Sequence, residues 1–211
     1  RLLRLDQLEQ ENRRLRALLE ARERQPVKSV VAEIMYTAKD PFSRKVILDK
    51  GAQAGIEAGQ AVVDDIGVIG QITRVFPMQS ELTLLTDKDQ AIPVMIVRSG
   101  LRAVLFGSGN GLMELRYLAA NADVQPGDKV VTSGLDGVFL AGLPVATVAK
   151  VERDQAQTFA RIPCLPAAGV EQFSHVLVLG HRENLPPRPP EAEVINKGKG
   201  AKGRKAKAGK E

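Results

Sequence analysis

The sequence predicts a mainly β protein that opens with one long helix, and three observations carry that prediction. Leucines recur at alternating spacings of three and four through the first 25 residues, the a/d pattern of a coiled coil. From Ser29 onward, short runs rich in Val, Ile and Leu alternate with glycine and proline turns, as in an all-β sandwich or a pair of small barrels. Finally, one pattern of apolar residues and glycines occurs twice. Ile56, Gly59, Val62 and Val63 are answered by Val124, Gly127, Val130 and Val131, each 68 positions on, so two related β modules are expected.

The helix seam is Leu5, Leu8, Asn12, Leu15 and Leu19. Asn12 falls at an a position, where two asparagines bond across a parallel pair and are unpaired in most other registers. With Leu5 at a, Arg4 and Glu11 take g positions and face Glu9 and Arg16 at e positions of a parallel partner, both opposite in charge. The pattern predicts dimerisation; the alternative is a helix packed on its own domain. Pro26 ends it.

Candidate strands lie at 29–35, 45–49, 61–63, 67–75, 80–85, 92–97, 101–106 and 112–117, then at 130–132, 144–151, 159–163 and 175–179. The internal match resumes where Ile69, Ile72 and Val75 correspond to Val145, Val148 and Val151 at an offset of 76, so the second copy carries eight extra residues, spent mostly in Thr132–Leu143. Gly59 and Gly127 mark equivalent turns, and Gly134, Gly137 and Gly142 break the longer loop. That loop holds Leu135, Val138, Phe139 and Leu140, four apolar side chains that contact another chain or plug the barrel's open end. We expect contact with a partner or a second copy. The chain thus divides into a coiled-coil helix (1–25), a first β module (26–110), a second (111–180) and a tail (181–211). Whether the strand at 29–35 joins the first module or crosses to the second, nesting one in the other, is left open.

The runs TDKDQAIPVMIVRSGLRAVLFGSG (86–109), LMELRYL (112–118) and GDKVVTSGLDG (127–137), followed by Leu143-Pro144-Val145, resemble in order the motifs of the MreC family of bacterial rod-shape proteins. The resemblance covers about residues 1–180. It implies two small six-stranded barrels in a chymotrypsin-like arrangement without a catalytic triad. It also implies an extracytoplasmic, periplasmic location, with a membrane helix upstream of Arg1 in the inner membrane. Partners implied are the class B penicillin-binding transpeptidase of peptidoglycan synthesis, MreD and MreB, and further copies of the chain.

Composition narrows the function classes. Aromatics make up 4% of the 211 residues, with no tryptophan, so the core must be Val, Ile, Leu and Ala, and stacking platforms for single strands are not expected. The net charge of +5 resides in the tail: residues 1–180 carry 21 basic and 21 acidic side chains, residues 181–211 nine and four. A neutral folded region argues against nucleic acid as a partner. The Pro-rich, Lys-rich tail is expected to be disordered. Cys164, flanked by apolar residues, excludes an internal disulfide and reads as a small buried hydrophobe. No run approaches the ~18 apolar residues that span a bilayer, and the chain opens on charged helix, as part of a longer protein does.

No catalytic set emerges, and no cofactor is expected. A serine triad needs a base beside its nucleophile, and the two histidines, His175 and His181, lie beside or beyond the last strand, while Ser133 reads as a turn former. Asp64 and Asp65 are adjacent and read as a turn, and Asp87 and Asp89 lack a third oxygen ligand at suitable spacing. What remains is a non-catalytic interaction scaffold, and the resemblance to the MreC family implies that it serves the cell-elongation complex. An efflux-pump adaptor is the alternative, although its helices form an inserted hairpin and this helix precedes all the β sequence; a protease-like enzyme is the third class.

Overall fold

The computed structural model describes residues 2–37, 43–152, 159–168 and 174–180. The expected tail lies outside them, as does His181. Helix α1 (Leu2–Arg24) closes with Arg22 and Arg24 in its last turn, where cations suit the negative helix end, and Pro26 keeps Gln25 out of helical geometry. Twelve strands follow among the described residues. In chain order they are β1 (Ser29–Thr37), β2 (Lys45–Leu48), β3 (Ala61–Val63), β4 (Val68–Val75), β5 (Ser80–Leu84) and β6 (Ala91–Ile96). Then come β7 (Arg102–Gly107), β8 (Met113–Arg116), β9 (Lys129–Thr132), β10 (Pro144–Val148), β11 (Ile162–Pro166) and β12 (His175–Leu179).

They close into two six-stranded antiparallel barrels, ordered β1-β12-β3-β4-β5-β2 and β10-β11-β8-β7-β6-β9. The boundary expected at 110/111 is therefore corrected. β6 and β7 pair with each other and with β8 and β9 in the second barrel, while β12 returns to pair β1, Ser29 opposite Leu179 and Glu33 opposite His175. The second barrel is an insertion between β5 and the closing strand of the first. Pairing between β1 and β12, which decides this, joins segments about 150 residues apart and leaves no local mark.

The internal repeat has a structural counterpart. Gly59, at φ +90°, donates its N–H to Ile72 O, and Gly127, at φ +89°, donates to Val148 O; both backbones lie in the left-handed region that glycine enters at no steric cost. The next side chain does the same work in each copy: Gln60 Oε1 accepts the N–H of Glu57, and Asp128 Oδ2 accepts that of Gln125. β3–β4 and β9–β10 are thus the same hairpin used twice, each with a register shift.

Two apolar cores result. One fills the first barrel with Val46, Leu48, Ile56, Val62, Ile72, Leu82, Val176 and Val178. The other fills the second barrel and runs on across the outer side of the first through Val63, Val68, Leu177 and Leu179 to Leu18 and Ala21 of α1. This double burial explains why β12, His-Val-Leu-Val-Leu, does not alternate with polar residues: successive side chains point oppositely, and both sides are covered.

The joint between barrels is tight. The segment linking β5 to β6 is held by Asp87, whose carboxylate accepts the N–H groups of Arg44 (2.7 Å) and Asp89 (2.9 Å), and Arg44 Nε donates to Gly109 O at 3.1 Å. A methyl group on Gly107 would sit 2.0 Å from Asp87 O, and one on Gly67 would sit 2.4 Å from Pro144 O, so both glycines are required by close backbone approach.

Candidate partner-binding surfaces

Three surfaces bear on partner binding, and the sequence pointed to two of them. The first is the stalk. At about 100° per residue, Leu18 and Ala21 share a face with Gln7, Glu11 and Arg14, while the seam is centred roughly 120° away. The docking face packs Leu18 and Ala21 into the second core, and nearer the N-terminus it borders a polar cleft with Asp65, Ser174 and His175. The seam leucines Leu5, Leu8, Leu15 and Leu19 remain 36–59% exposed, and Asn12 is exposed with them. The helix is therefore packed on its own domain along one face, and on another face its a/d stripe is open to solvent.

The second surface, the loop from Thr132 to Leu143, departs from expectation. Phe139 and Leu140 are buried in the core with Val130 and Val145, and Val138 packs partly against it. Of the four apolar side chains, Leu135 alone stands out, 62% exposed. The loop is drawn inward by Thr132, whose fully buried hydroxyl donates to Leu140 O and accepts the N–H of Leu143, and by Asp136 Oδ1, which accepts the N–H groups of Val138 and Phe139. Gly134, Gly137 and Gly142 supply positive φ at its bends. Four apolar residues in a glycine-rich loop signal a need for burial without saying where. The barrel end meets it for Phe139 and Leu140.

The third surface was not legible. On the outside of the second barrel, register sets Val104 opposite Arg116, Phe106 opposite Glu114, and Glu114 opposite Pro163 across β7, β8 and β11. The rings of Phe106 and Tyr117 meet edge to face at 5.9 Å, and those of Tyr117 and Phe159 at 6.1 Å. Arg116 lies over the Phe106 ring at 4.9 Å. Met113 and Leu115 point inward, so strict alternation would turn Tyr117 inward as well. Instead its φ of +63° swings it out to 70% exposure. A bulky residue held in the left-handed region stores strain, which accumulates where function requires a particular display. At the centre Glu114 grips two guanidinium groups, Oε2 taking Arg116 Nε and Oε1 taking Arg161 Nε, each at 3.2 Å.

The titratable groups considered for chemistry are used structurally. Ser133 Oγ donates to Pro93 O, and Ser174 Oγ hydrogen-bonds with His175 Nδ1 at 3.1 Å. Burial pushes the Cys164 thiol up to about 12. Asp64 is buried in the β3–β4 turn with Oδ1 accepting from Ile66 and Gly67, and desolvation raises its pKa. Arg98 holds the loop before β9 against the β6–β7 turn, meeting Asp128 through Nε and Nη2 and Asp123 through both Nη atoms; the guanidinium keeps the Asp128 carboxyl below its usual range. Among the described residues no group of three or more potential metal ligands forms.

Comparison with known proteins places this geometry. A family profile described as "Rod shape-determining protein MreC, barrel core" matches residues 34–180. The cell shape-determining protein MreC of Escherichia coli K12 is 38% identical over 193 residues, 90% of this chain and 53% of that protein. The chain thus spans about half the length of such relatives. A solved structure named MreC superposes with a TM-score of 0.78 at 40% identity, covering 82% of this chain and 99% of that one. A complex between the penicillin-binding protein PBP2 and MreC from Helicobacter pylori matches in fold, with a TM-score of 0.55 at 21% identity, over 73% of this chain and 100% of that one.

Proposed function

The chain belongs to the MreC family, and from that premise we propose that it is a non-catalytic extracytoplasmic scaffold of the cell-elongation complex. In this reading a segment upstream of Arg1 anchors it in the inner membrane, beside MreD and MreB. The stalk pairs with a second copy through Leu5, Leu8, Asn12, Leu15 and Leu19. The aromatic face of the second barrel receives a class B penicillin-binding transpeptidase.

One observation carries the assignment of that face: Tyr117 is exposed on a strained backbone, braced by Phe106 and Phe159, on a barrel whose inward positions are already filled. Rigid exposed aromatics beside arginine are the usual composition of an interface anchor. The PBP2 complex of the Helicobacter pylori protein supports the choice of partner class.

Affinity capture of the transpeptidase from envelope extract tests it. Tyr117→Asn removes the ring while suiting a left-handed backbone, and the expected result is loss of transpeptidase from the captured material with the fold intact. Undiminished capture by this variant would assign binding to another surface.

A further inference from the structure

We propose that the aromatic face of the second barrel selects a partner segment whose apolar anchor is flanked by carboxylates. This rests on the reading of that face as a partner contact and adds the chemistry of what docks there.

Closure of the barrel comes first. Every strand of the second barrel has two neighbours, so no edge is available for a partner to add a strand, and recognition must pass through outward side chains. Those side chains are an apolar centre with a cationic surround. Val104, Phe106, Tyr117, Phe159 and Leu165 supply exposed or half-exposed apolar surface. Around them stand Arg102, Arg116, Lys150 and Arg161, against two carboxylates, Glu114 and Glu152. Lys150 pairs with Glu152, whereas Arg102 has no ion-pair partner among the described residues.

The sharing of Glu114 is decisive. One carboxylate serves two arginines, and each arginine reaches it through Nε. Among the described residues the terminal nitrogens of both guanidinium groups make no ion pair and stand open to a second carboxylate, which a planar fork binds at two points. Arg116 Cζ also lies 4.9 Å from the centre of the Phe106 ring, so a carboxylate reaching it arrives beside apolar surface, where its charge is less screened than in open water. An incoming apolar side chain seated against Tyr117 thus brings its neighbouring residues directly over an excess of positive charge. Glutamate or aspartate there is attracted; lysine or arginine is repelled.

The test measures the Kd of the purified chain for the periplasmic ectodomain of its own class B transpeptidase, at low and at physiological salt, with unfolding curves run on each variant. Tyr117→Asn should weaken binding by at least about tenfold. Arg161→Glu and Arg102→Glu should each weaken it about threefold at low salt and less at higher salt, while Arg74→Glu on the first barrel, an equal change of net charge, should not. Glu114→Gln should tighten binding about threefold, because it frees both arginines. If Tyr117→Asn weakens binding but the reversals leave it unchanged, or Glu114→Gln weakens it, the acidic segment is excluded while the face stands. If Tyr117→Asn has no effect, the face itself is wrong, and this inference falls with it.

Discussion

Replacing Phe139 by alanine separates two uses of the long loop. The ring is 5% exposed and lies in the core of the second barrel with Leu140, Val130 and Val145. Truncation to the β-carbon forfeits on the order of 150 Å² of buried apolar surface, and at ~25 cal/mol per Å² this is about 4 kcal/mol. The cavity adds to that cost only if the loop cannot collapse into it. Here it is pinned on both sides, by Asp136 Oδ1 on the N–H of Phe139 and by Thr132 on Leu140 and Leu143, so relaxation is restricted. A loss near the top of the roughly 3–5 kcal/mol range for such truncations is expected. Denaturant unfolding is the assay: the midpoint should fall with the slope unchanged, and Leu135→Ala, at an exposed position of the same loop, should move it by less than about 0.5 kcal/mol. A Phe139→Ala protein that loses less than about 1 kcal/mol yet fails to self-associate or to bind transpeptidase would falsify the plug and restore the loop as an interface.

The other expectations are shorter to state. Leu8→Asp with Leu15→Asp places charge in the open seam and should reduce the mass in light scattering to that of one chain without changing the unfolding midpoint, whereas Leu18→Asp should lower the midpoint because that side chain is buried against the barrel. Thr132→Val keeps the shape and strands Leu140 O and Leu143 N–H in the interior, at a cost of about 1–3 kcal/mol by the same unfolding assay. Gly107→Ala should destabilise by a similar amount, read the same way, since its methyl group meets a backbone oxygen. The Arg98 guanidinium holds the Asp128 carboxyl below its ordinary range, so its contribution is complete above that range and is lost as pH falls through the lowered pKa. Acid unfolding should therefore be shallower below about pH 4 in Asp128→Asn than in the parent.

What could be read from the sequence followed the range of the interactions involved. Strand positions were legible because turn glycines and apolar runs are local, and the β3–β4 and β9–β10 hairpins were matched through Gly59 and Gly127, whose N–H groups make equivalent bonds. Barrel membership was not, because β6 looks the same whether it closes the first barrel or opens the second. That is settled only when β12 reaches β1, about 150 residues away. Of the loop residues expected to face a partner, Phe139 and Leu140 turn inward, since periodicity carries no information about which way a glycine-rich segment folds back.

The aromatic face was hidden by a different cause. Phe106, Tyr117 and Phe159 are far apart in sequence, and alternation from Leu115 assigns Tyr117 to the interior; one backbone angle reverses it. The available signal was the parity of Phe106, Glu114 and Arg116, which places all three outside, but which strands lie side by side was unknown.

The nested topology also bears on how the two proposed binding surfaces are related. Leu177 and Leu179 of β12 lie in one core with Leu18 and Ala21 of the stalk and with Val145 and Val148 of the second barrel. The strand that closes the first barrel therefore sits between the helix and the inserted barrel, and the direction of the seam is fixed relative to the first barrel by packing rather than by a linker. Because Asp87 and Arg44, together with the Gly67 and Gly107 contacts, then fix the second barrel on the first, pairing two seams sets where two aromatic faces point. Undocking the helix at Leu18 should consequently leave single-site affinity for transpeptidase unchanged while loosening the spacing of two bound copies, a separation that chemical cross-linking between captured transpeptidases can read.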